Sequence, residues 1–234
     1  MIAPLNTALC LHATSSDLRF LNPVRNRLER ILGARFRLYE FGNQASNAAG
    51  MLALRQATEG LVVVFSHGCG DYLRGGEYRS RTLDETVEIE RFLTRSDLEA
   101  FAGKAVFCMS CDSNGLAQAS LDAGALAFVG FDEIAFNRFS SSGDPIGSHT
   151  LVKHCQELLF APAVKAALER FVTGRSTLDG AVDYMRLWLC KNSVGYVRTY
   201  HSVRERREVA ALALRMKDGL SYHGPSGIRF TIES

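Results

Sequence analysis

Leu61-Val62-Val63-Val64-Phe65-Ser66-His67-Gly68 is an unbroken apolar run that ends abruptly in a hydroxyl, an imidazole and a glycine. A β-branched run without polar alternation belongs to a strand covered on both faces. The chain before it supports that reading. Residues 7–13 form a short buried strand, and Asn22-Pro23 opens an amphipathic helix that runs to about Leu32 and stops at Gly33. Residues 35–41 alternate as a second strand. Residues 46–57 have helical spacing, with Ala48, Met51, Leu52 and Leu54 on one side. The order β-α-β-α-β predicts a parallel sheet with right-handed crossovers.

Downstream, residues 68–84 are rich in Gly, Arg and Tyr and read as an irregular excursion containing a small hairpin. A short helix over 94–100, capped by Thr94 or Ser96, precedes a buried strand at 104–109. A helix over 114–123 stops at Gly124, and 125–131 is a further apolar strand. Residues 132–148 carry the loop signal Ser140-Ser141-Ser142-Gly143-Asp144-Pro145. The rest reads as helical over 149–160, 162–173 and a longer stretch from Leu178, with 228–232 as a closing edge strand. The expected class is therefore α/β: three layers, a mainly parallel sheet flanked by helices, and a helical C-terminal part. One domain spans 1–234, with its core sheet in about 5–135 and a mostly helical region in about 149–220.

Composition narrows the function. The 27 basic and 25 acidic residues leave a net charge of +2, which calls for no nucleic-acid partner and no membrane surface. No run reaches the roughly 20 apolar residues of a membrane span. The first residues lack the basic start and apolar run of a secretory signal, so a cytoplasmic location is expected. Most of the six cysteines, including Cys10, Cys108 and Cys190, lie in apolar runs as small core residues, which leaves Cys69 and Cys111 to explain.

His67 and Cys111 both fall just beyond the carboxyl end of a buried strand, the edge where open parallel sheets bind ligands. Adjacent strands are about 4.8 Å apart, so residues distant in sequence can meet there. A free thiol is only a few per cent thiolate at neutral pH; an imidazole can take its proton and later give it to a leaving amine. The helix expected after Cys111 favours a thiolate through its N-terminal dipole. Gly68 allows close approach of its backbone, so the N–H groups of Gly68 and Cys111 are candidates for an oxyanion hole. All of this points to acyl transfer without cofactor or metal.

Phe65-Ser66-His67-Gly68 resembles the His-Gly motif of the caspase, separase and metacaspase clan, and residues 106–113, ending Ser110-Cys111-Asp112-Ser113, resemble its strand-then-Cys motif. The similarity is greatest to the CHAT branch, caspase-like domains often linked to TPR proteins. Leu93-Thr94-Arg95-Ser96-Asp97-Leu98 resembles the segment before the Cys strand, Leu121-Asp122-Ala123-Gly124-Ala125 the step after it, and the region 158–181 the family's later helices. The resemblance implies a caspase-like fold and a cysteine endopeptidase with His67 as general base and Cys111 as nucleophile. It further implies a protein substrate, a sensor or regulatory protein as partner, and a role in prokaryotic stress response or antiviral defence, with the 137–148 loop as a regulatory element. The position two before the nucleophile, acidic in several Arg-specific relatives, is Met109 here; Asp132 and Glu133 are the alternative source of acidity for a substrate pocket. Asp71 and Asp112 flank the two motifs and are read first as turn or cap residues.

Three other readings compete. His67, Cys69, Cys108 and Cys111 form a soft-ligand set faintly like that of zinc deaminases, although Cys69 stands where those enzymes place a proton-shuttling Glu. A CHAT-like interaction module without activity is the second. The third, a flavodoxin-like binding protein, lacks a phosphate-binding glycine loop at its first helix entry.

Overall fold

The computed structural model of the chain describes residues 5–75, 78–79, 87–88, 91–134 and 149–231. The expected loop at 137–148 lies outside them. The main sheet is built from β1 (Ala8–Ala13), β2 (Phe36–Phe41), β3 (Leu61–Phe65), β8 (Ala105–Met109), β9 (Ala127–Phe131) and β10 (Leu220–His223), in the spatial order β10-β9-β8-β3-β1-β2. Five strands run parallel and β10 pairs antiparallel with β9. Every residue of β1, β3, β8 and β9 is buried, whereas the edge strand β2 is only half covered. That contrast separates the continuous apolar runs from the alternating one.

Crossover direction sets the layers. The chain moves outward from β1 to β2 through α1 (Asn22–Leu32), then reverses to β3 through α2 (Gln44–Arg55). Right-handed connections therefore put α1 and α2 on opposite faces. The same rule puts the 3₁₀ segment Arg95–Phe101 and α3 (Ala117–Asp122) with α2, and both the α2 and α3 helices pack on that segment. On the other face α1 meets α5 (Ala161–Val172), which packs on α6 (Leu178–Thr199); α6 in turn packs on α7 (Arg206–Asp218). A short α4 (His149–His154) continues into a π-helical stretch, Cys155–Phe160. Among the described residues no helix is long and apolar enough to cross a membrane.

Between β3 and β8 the expected excursion contains β4 (Tyr72–Arg74), β5 (Tyr78–Arg79), β6 (Val87–Glu88) and β7 (Arg91–Thr94), paired antiparallel as β4 with β7 and β5 with β6. The guanidinium of Arg91 stacks 4.8 Å from the centre of the Tyr72 ring, which ties the two longer strands together.

Several sequence expectations need correction. The closing edge strand is β10; of the expected 228–232, residue 232 lies outside the described residues and Arg229 makes only an isolated bridge to Thr177. The helix expected over 114–123 is present as a continuous helical stretch over 113–122, but its first turn, Ser113–Leu116, is 3₁₀ and only α3 is α-helical. On α2 the buried residues are Asn47, Gly50 and Leu54, and Leu52 is exposed. Gly50 turns the helix this way: a Cβ there would stand 3.1 Å from the Phe92 ring and 3.2 Å from that of Tyr39, so the helix seats its smallest residue against two aromatics.

One buried titratable side chain sits inside this core. His12 of β1 faces Phe65 edge-on, with ring centres 5.4 Å apart, and is 4% exposed. Burial, and then the charge of Arg25, pushes its imidazole down to about 4. Below the unfolded value near 6.5 the unfolded chain binds a proton that the fold refuses, so the stability is full above pH 6.5 and is lost as pH falls toward 4. The loss amounts to roughly 3 kcal/mol. Urea unfolding followed from pH 7 to pH 4 should show this acid slope, and His12→Gln should flatten it; an unchanged slope in the variant would show that His12 does not carry it.

Candidate functional site

The register of β3 and β8 pairs Phe65 with Met109. His67 and Cys111 each lie two residues further on, at equivalent positions past adjacent carboxyl ends. The two segments then pack backbone against backbone. A Cβ on Gly68 would lie 2.6 Å from the carbonyl oxygen of Cys111 and would overlap the Ser110 hydroxyl. A Cβ on Gly115 would lie 2.5 Å from the carbonyl oxygen of Gly70. Only glycines permit both approaches, because real side chains do not come within 3 Å of backbone atoms in this way.

The stretch after His67 turns back through β4. Arg74 N–H donates to the His67 carbonyl at 2.8 Å and Cys69 N–H to that of Tyr72 at 3.2 Å, with Gly68 opposite Leu73. In such a pair the N–H of the central residue points away from the partner strand. Gly68 N–H is thus directed away from β4, and among the described residues neither it nor Cys111 N–H donates a hydrogen bond. Asp112, directly after the thiol, has φ of 54°, the only positive value for a non-glycine residue among those described. Its N–H donates to the carbonyl of Asp132 at 3.0 Å, which fixes the turn that carries Cys111. Strained backbone of this kind gathers at functional turns.

The thiol is engaged by the segment that follows β9. Cys111 Sγ donates to the Ile134 carbonyl at 3.2 Å and accepts from Ile134 N–H at 3.4 Å. Burial pushes the thiol up to about 12, helped by the nearby charges of Asp112 and Glu133 and opposed by the Ile134 hydrogen bond and by Arg74. His67 is held at Nε2 by Ser15 Oγ, 3.4 Å away. Its imidazole lies below the ordinary value chiefly through burial, with Asp17 acting to raise it and Arg74 to lower it. The dipole-assisted thiolate expected from sequence is thus not what these residues favour: the thiol shifts up, the imidazole down, and both prefer to be neutral.

Met109, expected as a substrate-binding residue, is instead fully buried as the last residue of β8 and presents no surface to a substrate. Asp132 and Glu133 are exposed on the rim of a cavity of about 280 Å³ lined also by Leu212, Arg215, Met216, Asp218 and Gly219, and not by His67 or Cys111. Asp132 accepts a hydrogen bond from Asn114 Nδ2 at 2.7 Å. Asp71 pairs with Arg95 at 3.1 Å, and Arg95 also donates to the Gly115 carbonyl at 3.2 Å, so Asp71 braces the loop. The soft-ligand set is not assembled: Cys108 is fully buried, and among the described residues no group of three His, Cys, Asp or Glu side chains is placed to hold a metal ion. Ser15, Asp17, Arg74 and Ile134 were not singled out from sequence. The strand-end rule that found His67 and Cys111 also applies to β1, and would have pointed to Ser15 and Asp17.

No family model matches the chain, and no curated protein matches it.

A thiol near 12 is only ~10⁻⁵ ionised at neutral pH. Site-resolved iodoacetamide labelling should therefore modify Cys111 far more slowly than Cys69 and Cys190 at pH 7.5, although all three are half-exposed. Its rate should climb about tenfold per pH unit up to pH 10. Labelling of Cys111 at least as fast as the other two at pH 7.5 would contradict the neutral-thiol description.

Proposed function

We propose that the chain is a cysteine endopeptidase of the caspase-like type, with Cys111 as nucleophile and His67 as general base. The observation that carries this reading is the shared offset of the two residues past paired strands, with Gly68 packed on the Ser110–Cys111 backbone. Few structural roles require a thiol and an imidazole at equivalent strand ends joined by two glycine contacts.

In this mechanism the thiol proton passes to His67 as sulfur attacks the scissile carbonyl carbon. The carbonyl π-electrons move to oxygen, toward the N–H groups of Gly68 and Cys111. Collapse of the tetrahedral species breaks the C–N bond, and the imidazolium returns its proton to the departing amine. Water, deprotonated by the same imidazole, then attacks the thioester and releases the acid and the free thiol. Because both groups rest neutral, proton transfer accompanies attack instead of preceding it. The low dielectric that disfavours the resting ion pair also strengthens hydrogen bonds to the oxyanion.

Asp132 and Glu133 put negative charge next to the turn that carries Cys111, which favours a cationic substrate side chain, although Arg215 shares the cavity they line. The hydrogen bonds between Ile134 and the thiol favour regulated activity, because the segment must yield before a peptide reaches sulfur. They equally favour the second reading, an interaction module in which Cys111 never reacts. A sensor protein as activator, a cytoplasmic location and a defence or stress role belong to the same proposal.

Incubation of the chain with a peptide library and with candidate partner proteins separates the two readings. The proteolytic reading predicts cleavage that is lost in Cys111→Ala and falls by roughly 10²–10⁴-fold in His67→Ala. Cleavage that survives Cys111→Ala would refute it.

A further inference from the structure

The turn that leaves β1 is built around Ser15. Its backbone is extended, with φ of −127° and ψ of 148°, and its carbonyl accepts from Leu18 N–H at 3.2 Å. Its hydroxyl oxygen accepts from Asp17 N–H at 3.3 Å. Leu18 and Leu21, both fully buried, anchor the 3₁₀ segment that follows. Ser15 is itself 9% exposed, so the hydroxyl has little water to bind. A serine oxygen has two lone pairs. One is taken by Asp17 N–H, and the oxygen lies 3.4 Å from His67 Nε2, with the direction of that contact set by the ring tautomer.

We infer that the Ser15–Asp17 turn is the third element of the site: Ser15 fixes the tautomer and orientation of His67, and Asp17 stabilises the imidazolium. This rests on the reading of His67 as the base for Cys111. With the Nε2 proton donated to Ser15 Oγ, Nδ1 carries the lone pair that receives the thiol proton. The contact is long for a neutral N–H···O bond and shortens when the ring becomes charged. Among the described residues, Asp17 in the turn after β1 acts to raise the imidazole and Arg74 from β4 acts to lower it. They oppose each other, so the turn supplies the negative charge that offsets Arg74. A hydroxyl acceptor on the far nitrogen of the base performs one task of the buried acid in a catalytic triad, that of fixing the tautomer. Ser15 and Asp17 are positioning residues; neither touches the reacting atoms.

Ring ¹⁵N shifts of His67 test this in the full chain, for wild type and for Ser15→Ala, Ser15→Thr, Asp17→Asn and Cys111→Ala. The wild type should hold the Nε2–H tautomer in excess. Ser15→Ala should reduce that excess by about tenfold, the weight of one hydrogen bond, and Ser15→Thr, which keeps the hydroxyl and the cap, should restore it. Asp17→Asn should lower the titration midpoint of His67. A mere capping role for Ser15 would leave the tautomer ratio where it was, and that result in a folded Ser15→Ala chain would overturn the inference, as would an Nδ1–H tautomer in the wild type. Cys111→Ala should also shift the His67 resonances. If it does not, while Ser15→Ala does, the dyad fails and the Ser15 contact stands without a catalytic meaning.

Discussion

Parallel pairing of β3 with β8 is the constraint on which the rest of the site depends. Once Leu61 is aligned with Ala105 and Phe65 with Met109, the backbones leave the sheet at the same height. A one-residue slip would turn every side chain of a strand to the other face. Here both faces are buried and each strand is apolar throughout, so alternation alone does not choose the register. The glycine contacts beyond the strand ends help to choose it. Gly68 against Cys111 and Gly115 against Gly70 fit only when the two segments emerge level. The sheet and the site therefore specify each other.

The electrostatics of the site follow from the same burial. A thiol pushed up to about 12 and an imidazole moved below its usual value make a neutral pair, and both shifts have burial as their largest cause. Arg74 lowers both groups, which helps the thiol ionise and hinders the imidazole from holding the proton. Asp17 works in the opposite direction on His67 alone. The resting balance thus favours an inert thiol, and the hydrogen bonds to Ile134 add to it. Ile134 connects to the C-terminal helices through its neighbour: Asp132 N–H donates to the Gly219 carbonyl at 3.0 Å, at the end of α7.

Much of this was legible in the residues because burial on two faces writes itself as unbroken apolar runs. β1, β3, β8 and β9 were found to within two residues at each end, and so was α1 with its Pro23 start. What escaped was set by tertiary contact. β10 is four residues, Leu220–His223, with only Leu220 fully buried, and no periodic signal separates it from the helix before it. In the 3₁₀ turn behind Cys111, Gly115 packs against the Gly70 carbonyl, a contact between segments more than forty residues apart. His67, Gly68 and Cys111 were legible as a pair of strand ends. Ile134 was not, since an aliphatic residue that acts through its own N–H and C=O leaves no mark in side-chain chemistry.

The central claim is that these strand ends form an acyl-transfer site. An experimental structure of the chain after soaking with a mixture of peptide aldehydes tests it most directly, because an aldehyde forms a reversible hemithioacetal with a reactive thiol. The account predicts a C–S bond at Cys111 Sγ, the hemithioacetal oxygen within hydrogen-bond reach of Gly68 and Cys111 N–H, and Ile134 moved off the sulfur. An adduct on Cys69 or Cys190 with Cys111 untouched, or a Cys111 adduct whose oxygen points away from both N–H groups, would contradict it.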